Sequence, residues 1–197
     1  MSYALLISFA LGATTAGEGE ERRLDHVLAS AQSKARAWQY SWIGIYGGLV
    51  ASQATLAAVA DNPEDRQRGI YAAIPASVGI TFSLVRPLES LRAVRMGQAI
   101  DALYPEDRAR RLEAKRGLIR SLARSERAAS GWLPRIAGAL LNVAAAGAIW
   151  AATENLTPAA VQLGVGLASN ELKLQTAPRT MRREVKAFAA PVLSFRF

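Results

Sequence analysis

The chain has 197 residues, half of them apolar and a fifth charged, enough for one domain of ordinary size or one compact membrane bundle. It contains no cysteine and a single histidine, His26, which excludes disulfides, thiolate chemistry and multi-histidine metal centres. The net charge of +8 and pI near 10.4 admit nucleic acid, anionic lipid or the cytoplasmic flanks of membrane helices as the origin of the basic balance.

Residues 1–17 form an apolar N-terminal segment, with Leu5, Leu6, Ile7, Phe9 and Leu11 and no charge. Thr14 and Ala16 before Gly17 resemble the small residues of a signal-peptidase site, but Met1-Ser2-Tyr3 supply no basic residue ahead of the run. The segment reads as a signal sequence or a surface-lying stretch, and is too short for a mature span. Residues 18–36 are charged and helix-permissive, with an apolar stripe at Leu24, Val27 and Leu28.

The first span is expected at 38–60. Ala37 to Ala60 carries no charge, and 24 residues cover ~36 Å as a helix. Trp38, Tyr40 and Trp42 at its start suit an interfacial belt, because an indole pairs an apolar body with one N–H. A polar turn from Asp61 to Arg68 contains Pro63 as a breaker. The second span is expected at 69–86, with Arg68 and Arg86 able to extend outward from its ends and Pro75 inside it.

Residues 88–131 form a basic helical linker. Tyr104-Pro105-Glu106-Asp107 reads as a helix stop followed by a start. Beyond it, Leu112, Ile119 and Leu122 recur among Arg116, Arg120, Arg124 and Arg127, giving a basic amphipathic helix. Those four arginines are candidates for contact with anionic lipid head groups. Nucleic acid is disfavoured, since positions 106–131 hold no aromatic to stack on a base and no finger or helix-turn-helix pattern. The third and fourth spans are expected at 132–153 and 155–171, led by Trp132 and Arg135 and closed by Glu171, which is placed to pair with Arg135 or Arg86. Trp38, Trp42, Trp132, Arg86, Arg135 and Glu171 are thus the expected interface anchors. Residues 179–197 read as a polar, basic tail broken at Pro191.

The expected fold class is all-α: an integral membrane protein with two transmembrane helical hairpins (in 18–87 and 132–178) joined by the basic linker. Soluble helices usually keep a polar face, and a chain this short has little to cover charge-free helices on every side. Lys and Arg number four, eleven and six in 22–36, 86–127 and 173–196, against two in the intervening turns. That bias puts both termini and the linker in the cytoplasm, and conflicts with a cleaved signal at 1–17. The halves also look alike. Arg22-Arg23-Leu24-Asp25 matches Arg110-Arg111-Leu112-Glu113, Trp42 matches Trp132, and Pro87 matches Pro178. Two-span halves make such repeats parallel rather than inverted.

Small residues spaced by four mark expected packing faces at Gly44, Gly48 and Ser52, at Gly138, Asn142 and Ala146, and at Ala160, Gly164 and Ala168, which also suit a homo- or hetero-oligomer. Gln53 and Asn142 are the polar residues deepest in the spans, 11 and 10 residues beyond Trp42 and Trp132, and are expected to face each other. They form either an interhelical hydrogen bond or the lining of a solute path. Gly44-Ile45-Tyr46-Gly47-Gly48 lacks the Lys-Ser/Thr of a phosphate loop, and no zinc-protease or nucleophile-elbow motif is present. The reading is therefore non-enzymatic, with no cofactor and no metal: a scaffold or subunit of a membrane assembly, with a small pore or a soluble all-α binding module as alternatives.

The layout resembles a loose group of uncharacterised bacterial membrane proteins. The shared features are a Trp-led first span with Gln inside it (Trp42, Gln53), an acidic-then-Arg turn (Asp61 to Arg68), a Pro after the second span (Pro87), and a closing Glu-x-x-x-x-Thr-x-Pro stretch (Glu171, Thr176, Pro178). The likeness covers most of 38–178. It implies an architecture and a place in the bacterial inner membrane, without an activity.

Overall fold

The computed structural model describes the backbone of residues 3–189 and the side chains of 19–188. The signal-like reading of 1–17 and the end of the tail fall outside the described side chains. Among the described residues there are seven α-helices and no strand: α1 (Tyr3–Val59), α2 (Pro63–Val85), α3 (Ala93–Leu103), α4 (Arg108–Ala129), α5 (Trp132–Thr153), α6 (Leu156–Thr176) and α7 (Thr180–Ala189). A 3₁₀ turn, Glu89–Arg92, precedes α3.

Local chemistry sets the boundaries. Asn62 accepts the Asp65 backbone N–H at 2.7 Å and so caps α2, with Pro63 in the first turn, where a missing N–H costs nothing. Asn155 caps α6 in the same manner, accepting from the Thr157 N–H at 3.0 Å. Glu154 ends α5 in the left-handed region (φ 51°), a conformation usually left to glycine. Pro75 is accommodated within α2.

The chain divides into two compact units: residues 1–34, 89–126 and 179–197 form unit 1, and residues 35–88 and 127–178 form unit 2. Unit 1 is an amphipathic cluster. Leu24, Leu28 and Ala31 of α1 close on Ala93 of α3, Leu118, Ile119 and Leu122 of α4, and Met181 of α7. The sequence stripe at Leu24 and Leu28 is thus a core face. The basic linker folds into this unit rather than standing alone, and part of the expected tail is the helix α7.

Unit 2 holds the four apolar helices. Trp42 and Tyr46 of α1 pack on Ala76 of α2. Ala146 and Ile149 of α5 pack on Ala159 and Leu163 of α6 and on Tyr71 and Ala72 of α2. Three helical stretches are long and apolar enough to cross a membrane: that within Gly19–Val59, Pro63–Val85, and that within Arg108–Thr153, which contains α5. α6 is not among them, because Gln162, Asn170, Glu171 and Lys173 dilute it.

The halves repeat in part in element order: each ends in an Asn-capped apolar helix, a Pro and a short helix, while the polar and apolar parts that form α4 and α5 in the second half are one helix, α1, in the first. In each, a side chain from the polar helix caps the short one: Gln32 accepts from the Val94 N–H at 3.0 Å, and Glu126 accepts from the N–H groups of Met181 and Arg182 at 3.3 and 3.2 Å. Residues 90 apart, the offset between Trp42 and Trp132, touch directly. Glu21 meets Arg111 and Asp25 meets Lys115 in unit 1, and Ser83 meets Lys173 in unit 2.

Candidate functional site

Two charged constellations stand out, one in each unit. In unit 1 the Lys115 side chain is fully buried, with Asp25 at 2.6 Å, Asp101 at 2.7 Å and Glu21 at 3.8 Å. Burial pulls the ammonium's pKa down, but the hydrogen bonds and charges of Asp101 and Asp25 outweigh it and hold the pKa above the ordinary lysine value. Glu21 is shared with Arg111 at 3.0 Å and Arg108 at 3.6 Å, and Arg111 also donates to the Tyr104 carbonyl at 2.9 Å. This network ties α4 to α1 and to the end of α3. Glu126 is also buried; desolvation raises its pKa, against the helix-capping N–H groups, which lower it.

The arginines expected to meet lipid have different surroundings. Arg116, Arg120 and Arg124 are all exposed on α4, and Arg127 is exposed one turn further along. Arg116 is already engaged by Glu20, with Nε to Oε1 at 3.0 Å. A cleft of about 490 Å³ runs beside it, lined by Arg23, Arg120, Val185 and Phe188.

In unit 2 the described contacts gather at one end of the helices. Trp38 and Trp42 both donate their indole N–H to Thr176 Oγ1, at 3.2 and 3.3 Å. Gln39 is buried and donates to the Ser83 carbonyl at 2.9 Å. Lys173 donates to Ser83 Oγ at 3.2 Å and lies over the Tyr46 ring at 4.8 Å and the Trp38 ring at 5.9 Å. Two of the expected anchors, Trp38 and Trp42, therefore turn inward to α6. Trp132 is 71% exposed. Glu171 pairs with Arg135 through two contacts, at 3.0 and 3.1 Å, the first of the two partners the sequence offered. Arg86 is exposed at the end of α2.

Gln53 and Asn142 each close on a glycine of another helix. Asn142 donates to the Gly138 carbonyl at 2.8 Å, its Oδ1 is buried without a hydrogen-bond partner, and its side chain fills the space over Gly166 of α6. Gln53 lies on α1, where its carbonyl and Ala57 close on Gly69 of α2. Helix α5 packs against α6 and α2. Asn170 of α6 in turn fills the space over Gly138. Each helix thus offers a glycine to the other's asparagine, four residues from its own.

The face at Gly138, Asn142 and Ala146 is a packing face, as its spacing suggested. The other two are not packed within the described chain. Gly44, Gly48 and Ser52 are exposed, as are Ala160, Gly164 and Ala168. The contact stripe of α6 lies beside the expected one, at Ala159, Leu163, Gly166 and Asn170. Lys173 was missed because the charge-free run was read as ending at Asn170. The available signal was its position 90 residues from Ser83.

Comparison with known protein families, with characterised proteins and with solved structures finds no match in any of the three.

Proposed function

We propose that the chain is a non-enzymatic, multi-pass protein of the bacterial cytoplasmic membrane, serving as a scaffold or as a subunit of a membrane assembly. One observation carries this: the apolar helices turn their large side chains outward. Ile45, Leu56, Phe82, Leu140, Val143 and Val161 are each about half exposed, and only 11%, 11% and 22% of the most apolar stretches in the three candidate spans is buried. Full burial of one such side chain is worth about 1.5–3 kcal/mol. Leaving half of six in water forgoes on the order of 5–10 kcal/mol, comparable with the whole stability of a domain at about 5–15 kcal/mol. Lipid removes that cost.

On this reading α6 is the fourth span. Its polar Asn170, Glu171 and Lys173 lie in the last two turns, where side chains reach the interface, and it is packed along α5. The charge bias of the loops favours a cytoplasmic location for the termini and for unit 1. Exposed arginines on α4 fit anionic head groups. Asn142 donates to the Gly138 carbonyl of its own helix and packs over Gly166, which favours a packing role over a polar path at Gln53 and Asn142. The test is fractionation with reporter fusions at residues 64, 110 and 155. Membrane recovery resistant to alkaline wash, with 64 and 155 outside and 110 inside, is expected. Recovery of folded protein in buffer without detergent would instead establish a soluble all-α module.

A further inference from the structure

We propose that Lys173, with the Trp38 indole and Arg86, forms a head-group site for the phosphate of an anionic phospholipid at one end of the unit 2 helices. The proposal rests on the membrane reading above and names a partner for that bundle.

Among the described residues the Lys173 charge has no counter-charge. Lys173 is half-buried, and among the described residues no carboxylate lies within ion-pair distance of its ammonium. Its contacts are one hydroxyl, Ser83 Oγ, and the faces of two rings, Tyr46 and Trp38. Ring faces stabilise a cation, but by far less than removal from water costs it. Two other cations of unit 2 have carboxylate partners, Arg135 in Glu171 and Arg68 in Asp65. Arg86, three residues past Ser83 on α2, is exposed and also has no carboxylate partner among the described residues.

The neighbouring polar groups cannot supply the missing negative charge. Ser83 Oγ donates to the Gly79 carbonyl at 2.8 Å, and Thr176 Oγ1 accepts both indoles while donating to the Leu172 carbonyl at 2.7 Å. The site therefore offers the Lys173 positive charge beside ring faces, and calls for an oxygen anion. Its level in the bundle suggests the source. Tryptophans at the start of a span sit among lipid head groups, and the positive-inside bias puts this end in the anionic leaflet. A lipid phosphodiester meets Lys173 there without leaving the interface.

The test uses the full chain with Trp132→Phe and Trp150→Phe, so that Trp38 and Trp42 alone report. It is reconstituted in phosphatidylcholine nanodiscs containing brominated phosphatidylglycerol or brominated phosphatidylcholine, and tryptophan quenching gives relative affinity. We expect about fivefold preference for the anionic lipid, falling to near unity in Lys173→Gln and retained in Lys173→Arg. An unchanged preference in Lys173→Gln with native helicity would overturn the site. So would loss of the preference on adding inorganic phosphate, which would make the ligand a free anion. Failure to enter nanodiscs would overturn the membrane reading and the site with it, whereas entry without preference defeats the site alone.

Discussion

Replacing Lys115 by methionine keeps the length of a buried side chain and deletes its charge. Three carboxylates are then left facing one another: Asp25, Asp101 and Glu21, within 2.6, 2.7 and 3.8 Å of the vanished ammonium. Breaking a buried ion pair from one side costs about 3–5 kcal/mol. The lower end applies here, about 3 kcal/mol, because the Asp25 and Asp101 side chains are 49% and 42% exposed and water can reach them, while Glu21 keeps Arg111. All four tryptophans lie in unit 2, so their fluorescence does not report this loss. Amide hydrogen exchange resolves it: protection of residues 118–123 should fall on the order of a hundredfold, with residues 142–149 unchanged. The wild-type protein should show the matching pH dependence. Since the folded pKa of Lys115 is raised, its stabilisation is complete below the ordinary value of 10.5 and disappears as pH rises through the higher folded value. Equal protection in Lys115→Met and wild type would refute the claim that this network holds unit 1 together.

Glu126→Ala removes the acceptor for two N–H groups of α7 and should cost about 1–2 kcal/mol, read as faster exchange at residues 180–186. Glu126→Gln keeps an acceptor and should cost less. Because burial raises the Glu126 pKa, that carboxyl's own contribution is present below its ordinary value of 4.5 and falls as pH rises through the folded value, a dependence that Glu126→Gln should abolish. Gly166→Ala drives a methyl into Asn142 and should destabilise the α5–α6 hairpin by about 1–3 kcal/mol in a denaturant titration; adding Asn142→Ala should restore most of it. Glu154→Gly, at φ 51°, should stabilise the same hairpin by about 1 kcal/mol.

The apolar helices of unit 2 were legible because their sequence signal is local. Absence of charge from 37 to 60 and from 136 to 153, and Pro63 after Asn62, need no partner to be interpreted. Where the outcome depended on a distant partner, periodicity failed. Helix α1 runs unbroken from polar to apolar sequence because neither Gly nor Pro interrupts 20–43, yet its polar part belongs to a core whose other members are 62 or more residues away. Helix α7 reads as tail from Pro178 and Pro191, and becomes a helix against α4 with Glu126 at its N-terminus. The choice between neighbouring small-residue stripes on α6 was set by Asn142 of α5, which spacing within α6 does not encode. The likeness of the halves was visible in the sequence, but the contacts of residues 90 apart, 21 with 111, 25 with 115 and 83 with 173, emerged only from the structure.

The absence of cysteine makes one measurement decisive for the membrane account. Single cysteines placed at Val143, Phe82 and Val161 can carry spin labels in the reconstituted protein. The account expects high collision rates with oxygen and low rates with a water-soluble nickel chelate at all three, and the reverse for a label at Arg124. Labels at 143, 82 and 161 that meet the nickel chelate as freely as the one at 124, on protein folded without lipid or detergent, would contradict it.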